Sequence, residues 1–228
     1  MKRVNFLRSA VISAVTALLI LGCATESSRN INASQTQSAR RPYSGPRSTI
    51  AVGNFDNRSN FQRGIFSDGV DRLGGQAKTI LITHLAQTNR FTVLDRGNME
   101  EIRREAQIRG ETQNLIGASH VITGDVSEFG RKEVTNTAFF GVAGRSKQQV
   151  AYSRVNLNIV DIRTSAIVFT VSGAGEYAMT DAEILGFGSS ASYDSTLNGK
   201  VLDLAIREAV DRLAEAIDSG AWNPSAQN

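Results

Sequence analysis

Cysteine is nearly absent from this chain. One residue in 228, Cys23, excludes an intramolecular disulfide framework and any zinc site built from several thiolates. Histidine is almost as scarce, and His84 and His120 alone leave few ligands for a His-based metal centre. A long apolar run is missing too. The apolar stretch at residues 10–22 has 13 residues, against the ~20 that a membrane-spanning helix needs. The cationic excess is small and local. Lys and Arg total 25 against 22 Asp and Glu, for a net charge of +3 and a pI near 9.2. Lys2, Arg3 and Arg8 carry +3, residues 23–49 carry another +3, and the body from Ile50 onward is −3. Binding to a phosphate backbone needs a concentrated cationic footprint. The body lacks one, so nucleic acid is not an expected partner.

What is present begins with a leader. Lys2, Arg3 and Arg8 form a basic n-region, and residues 10–22 form the apolar h-region of a signal peptide. It runs straight into Leu19-Ile20-Leu21-Gly22-Cys23, which resembles a bacterial lipobox. By that resemblance, cleavage precedes Cys23, which is diacylated and then N-acylated. Ala24, rather than Asp, follows, which by resemblance to enterobacterial sorting favours the outer membrane. Residues 23–49 are Ser, Asn, Gln, Thr, Ala and Arg with Pro42 and Pro46, too polar to bury a core. They read as a disordered tether between the acylated Cys and a domain at 50–222, with 223–228 a short tail.

Within that domain the periods alternate. Residues 49–55 form a short apolar strand. Across residues 69–89, Ala77, Ile80, Leu81, His84 and Leu85 fall on one face of a 3.6-residue repeat. Residues 91–94 are a second strand. Asn98 is placed to cap a helix ending at Arg109, with Glu100 and Glu101 in its first turn. Residues 119–126 make a third strand, and 154–162 with 166–171 a hairpin about Arg163-Thr164-Ser165. A final amphipathic helix, about 200–219, carries Leu202, Ile206, Ala209, Val210, Leu213 and Ile217 on one face. This order predicts one mixed α/β domain, an α+β sandwich.

Chemistry-bearing patterns are few. Gly69 and Gly74 have the spacing of a phosphate loop, but Gly75 and Gln76 stand where Lys and Ser/Thr are needed. His84 reads as a core histidine on an apolar helix face, and His120 as one in a buried strand. Glu100 and Glu101 read as a solvated helix face. The expectation is therefore no enzyme, no catalytic residue, no metal and no cofactor.

Two stretches, 131–153 and 171–195, are longer than compact connections require. From Phe169 to Met179 the odd positions read Phe, Val, Gly, Gly, Tyr, Met, and the even ones are mostly small or polar. Positions 185–193 repeat the alternation, with Leu185, Phe187, Ala191 and Tyr193 among the odd ones. Runs of ~9–11 residues suit strands crossing a bilayer in a tilted barrel. Phe169, Val171, Tyr177, Met179, Leu185, Phe187, Ala191 and Tyr193 are then the candidate lipid-facing side chains. In the first stretch Val134, Ala138, Phe140 and Val142 share parity. Val150 and Tyr152 are out of step with Val155 and Leu157, which calls for a bulge.

Phe139-Phe140-Gly141-Val142-Ala143-Gly144, followed by Val155-Asn156-Leu157-Asn158-Ile159-Val160-Asp161-Ile162, resembles the CsgG/HfaB family of the curli secretion channel. Arg90-Phe91-Thr92-Val93-Leu94-Asp95-Arg96 and the lipobox with its tether add to the resemblance, which covers most of residues 50–222. It implies a periplasmic α/β domain on a lipid anchor, with two β-hairpins per subunit joining an oligomeric outer-membrane barrel that passes unfolded polypeptide. The family's constriction loop carries a Tyr and an Asn-Phe pair where an ungapped match puts Gly64, Asp68 and Gly69. Phe61 and Phe66 lie nearby, out of register, and are the candidate pore-loop aromatics. The second hairpin is also several residues shorter than in the curli channel.

The expected function is an oligomeric outer-membrane lipoprotein that exports or anchors an extracellular polypeptide, with accessory lipoproteins among its partners. The alternative is a non-pore periplasmic lipoprotein of the same fold. It would act as an adapter or regulator of an envelope complex, like the lipoprotein activators of peptidoglycan synthases.

Overall fold

The computed structural model describes residues 34–61, 69–136, 146–180 and 190–224. Strand β1 (Ser48–Asn57) leads into helix α1 (Arg72–Gln87), strand β2 (Phe91–Leu94) and helix α2 (Met99–Arg109). Three long strands follow, β3 (His120–Asn136), β4 (Ser146–Asp161) and β5 (Ile167–Thr180), and then helix α3 (Ser190–Asp218). The sheet order is β2-β1-β3-β4-β5. β1 pairs parallel with both β2 and β3, while β4 and β5 add antiparallel. This is a mixed α/β domain with a five-stranded sheet and three helices.

Helices α1 and α3 cover one face of the sheet because their apolar stripes match its apolar face. Ala77, Leu81 and Leu85 of α1 and Leu202, Ile206 and Leu213 of α3 are fully buried against Ile50, Ile122, Leu157 and Ile159. The 3.6-residue period read in residues 69–89 therefore marks the buried face. Asp71 caps α1 by accepting from the Gly74 N–H (2.7 Å). Its other oxygen accepts from the Asn57 N–H (2.6 Å), joining the start of α1 to the end of β1.

The strands exceed their expected lengths. β3 runs ten residues past Val126, where its pairing with β1 stops, and β4 and β5 accompany it. The expected bulge falls in β3, between Val126 and Glu128, while β4 keeps an unbroken register with β5 from Gln148 to Ile159. Tyr152 of β4 sits opposite Gly130, where any larger side chain would meet its ring.

Two expectations are corrected here. Residues 34–47 were expected within a disordered tether, but they are folded onto the domain, with Thr36 fully buried and Ser38 nearly so. Hydrogen bonds to α3 overcome the polarity of the segment, as described below. Helix α3 begins ten residues before Lys200, so residues 190–195, expected as part of a strand, are helical.

Candidate functional site

Helix α3 is the meeting point of the polar contacts. Asp203 accepts a 2.8 Å hydrogen bond from the Ser34 hydroxyl and lies 2.7 Å from His84 Nε2 on α1. Arg207, one turn further on, approaches the same carboxylate at 3.1 Å. Burial alone would raise the Asp203 carboxyl. The hydrogen bonds from His84 and Ser34, with the charges of His84 and Arg207, outweigh it and hold the group below its ordinary 3.8. Ser, His and Asp meet here in an order unsuited to nucleophilic attack. Ser34 and His84 both bind the carboxylate, so the hydroxyl lacks the serine–imidazole bond that activates a nucleophile. The trio ties three segments together.

Beside it, a groove of about 420 Å³ opens, lined by Ser34, Tyr177, Lys200, Asp203, Leu204 and Arg207 among others. Lys200 lies over the Tyr177 ring, 4.9 Å from its centroid. Among the described residues, no group of His, Cys, Asp and Glu is arranged to hold a metal ion.

The alternation read in β5 is real, but its apolar face meets a helix. Phe169 stacks on Trp222 (5.8 Å), and Val171 and Tyr177 pack against the core beneath α3. Gly173 and Gly175, at the same parity, allow the close approach. A Cβ at Gly173 would meet the Ala205 carbonyl, and one at Gly175 the Leu204 side chain. In this fold Phe169 thus faces Trp222, just past α3, and Val171 and Tyr177 face the core beneath α3. Met179 belongs to β5, and Ala191 and Tyr193 belong to α3, not to a strand. Phe61, a candidate pore-loop aromatic, packs its ring on Phe129 with centroids 4.6 Å apart. Cys23, Phe66, Leu185 and Phe187 lie outside the described residues.

The two histidines are buried, as their positions on apolar faces imply. His120 lies edge-on to Trp222 at 5.6 Å, with Nδ1 3.0 Å from the Ser119 hydroxyl. Sequence reasoning missed Arg90. Its side chain is only 1% exposed, pairs bidentately with Asp218 (2.8 and 2.5 Å), and donates to the Ser38 and Thr88 carbonyls. The aromatic ring of Tyr43 lies 4.9 Å from its guanidinium. The signal available was an arginine just before an apolar strand, which local pattern does not separate from a surface charge.

A family model described as the curli production assembly/transport component CsgG matches residues 29–227. The chain belongs to the CsgG family. This CsgG-family chain is also 57% identical, over 217 residues, to a protein of Neisseria meningitidis serogroup B named as a candidate lipoprotein. That match covers 95% of this chain and 97% of the relative. Among solved structures it is similar to the PelC dodecamer of Paraburkholderia phytofirmans, with 16% identity, coverage of 74% and 93%, and a TM-score of 0.36. It is also similar to a hypothetical protein of Chlamydia trachomatis (14% identity, coverage of 76% and 99%, TM-score 0.43). A third is a lipoprotein of Neisseria meningitidis (18% identity, coverage of 66% and 99%, TM-score 0.34). The family membership stands on the sequence matches.

Proposed function

We propose that this chain is an oligomeric outer-membrane lipoprotein of the curli-secretion-channel type, anchored through Cys23 and exporting or anchoring an extracellular polypeptide. The observation that carries this reading is the three-stranded arm made by β3, β4 and β5 beyond Val126. Among the described residues, β3 has no neighbouring strand on its β1 side from Ser127 to Asn136, and β5 pairs with no strand but β4. Two unpaired edges on opposite sides of one arm invite head-to-tail pairing with further copies, and closing the ring leaves no edge open. The ~10-residue arm has the length that a tilted barrel strand needs. The N-terminal lipobox and the lipoprotein name of the 57% identical relative support the anchor.

Among the described residues no helix is long and apolar enough to cross a membrane. A second hairpin over 171–195 requires the first turns of α3 to unwind. The closed seat of α3 on β5 favours the alternative, a non-pore adapter or regulator of an envelope complex. Heat-modifiable migration and conductance of the detergent-extracted protein decide between them. A ladder-shifted oligomer with discrete conductance is expected. A strictly monomeric, non-conducting protein that is water-soluble once delipidated would overturn the channel reading.

A further inference from the structure

Residues 34–47 hold three arginines and no acidic residue, and they cross the outer face of α3. Three carboxylates on that face receive them. Asp203 binds the Ser34 hydroxyl. Asp211 accepts from the backbone N–H groups of Gln37 (3.0 Å) and Ser38 (2.7 Å). Asp218 holds Arg90, which in turn holds the Ser38 carbonyl. Their spacings of eight and seven residues are about two turns each, which puts all three on one side of the helix. Thr36 is fully buried. Helix α3 therefore lies between the sheet and a belt formed by the chain's own N-terminal segment.

The belt reaches the part of α3 that covers the arm. Ser34 and Lys200 line the same groove as Tyr177 of β5, and the Gly173 and Gly175 backbones take the weight of α3 between Val201 and Ala209. We propose that residues 34–43 are a latch that holds α3 closed on β5, with the Asp211 carboxylate as its catch. The acylated Cys23 stands eleven residues upstream of Ser34, so the segment that carries the anchor also controls the helix that covers the arm. This rests on the channel reading, because the helix has to leave β5 for a second hairpin to form.

Hydrogen exchange on the full-length lipidated protein tests the latch, comparing wild type with Asp211→Ala. Removing an ionised acceptor of two N–H groups should speed exchange of residues 34–43 by at least about tenfold. Residues 198–206 of α3 should open with them, while residues 120–126 of β3 stay protected. Glu111→Ala, which removes the partner of Arg109 at the end of α2, away from the belt, should change neither segment. Should residues 120–126 also lose protection, Asp211→Asn decides by the same criteria. Faster exchange of 34–43 with wild-type protection at 198–206 would overturn the proposal, because the belt would then be a passenger. So would unchanged exchange of 34–43 in both Asp211→Ala and the buried-charge variant Thr36→Glu. Joint opening of belt and helix without any oligomer or conductance upholds the latch and sinks the channel reading instead.

Discussion

Helices α2 and α3 are both amphipathic, yet one is a wall of the core and the other touches almost nothing. In α3, Leu202, Ala205, Ile206, Ala209, Val210 and Leu213 are all fully buried. In α2 no residue is buried, and Ile102 and Ile108 are exposed. Helix α2 is specified by its ends. The Asp95 side chain accepts from the Gly97 and Asn98 N–H groups, and Asn98 donates back to it instead of capping the helix itself. Glu100 and Glu101 sit at the positive end of the dipole and Arg109 at the negative one. Gly110, at φ 68°, closes the helix, with Glu111 N–H reaching Ala106 O and Gly110 N–H reaching Gln107 O. Local chemistry can therefore draw a helix that buries no residue, whereas α3 exists because the sheet, α1 and the belt surround it.

That contrast breaks most sharply at Arg90. Asp218→Ala leaves a guanidinium that is 1% exposed without its carboxylate. A cost of ~3–5 kcal/mol is expected for a buried charge stripped of its partner, read as a lower midpoint in urea with an unchanged slope. A loss under ~1 kcal/mol would mean that Tyr43 and the Ser38 and Thr88 carbonyls suffice. Leu213→Ala comes next, a fully buried leucine truncated at the centre of α3. Large-to-small changes of this kind cost ~2–5 kcal/mol, and the same denaturation curve checks it.

The sequence patterns traced the parts of the fold that bury a single stripe or close on a local turn. The α1 face, the β2 strand, the α2 boundaries and the Arg163-Thr164-Ser165 turn are of this kind. Asp161 builds that turn by accepting from Arg163 N–H and from the Thr164 N–H and hydroxyl. Other features depend on partners distant in sequence. The alternation of Phe169, Val171 and Tyr177 showed a two-faced strand but not what covers it, and a helix and a lipid both accept an apolar face. The start of α3 was hidden because residues 190–196, Ala191 apart, are Ser, Tyr, Asp and Thr, weak helix formers that also fit the dyad. The +3 carried by residues 23–49 read as the charge of a free tether. Three of its arginines lie within residues 34–47, the segment that crosses carboxylates 169 to 174 positions away.

Acid sharpens the comparison from the side of α3. The Asp203 carboxyl is held below 3.8 in the fold, with burial opposing and the His84 and Ser34 bonds prevailing. A carboxyl depressed on folding stabilises the native state above its unfolded pKa. That contribution disappears as the pH falls from about 3.8 through the lower folded value. Wild type should therefore lose stability more steeply below pH 4 than Asp203→Asn, as followed by near-UV circular dichroism. Identical acid slopes would show that Asp203 does not link α3 to α1 and the belt.

The smallest effect is expected in α2. Ile102→Ser removes an apolar side chain that is already 41% exposed on a helix with no buried residue. Surface substitutions of this kind stay within ~0.5 kcal/mol, so the urea midpoint should not move, although Leu213→Ala on the other amphipathic helix moves it substantially. The difference follows from the surroundings of each stripe. Hydrophobic stabilisation scales with area removed from water, and the fold removes the α3 stripe while leaving the α2 stripe wet. A loss above ~1 kcal/mol for Ile102→Ser would show that the α2 face is covered in solution. The comparison between the two helices would then collapse into one between two buried elements.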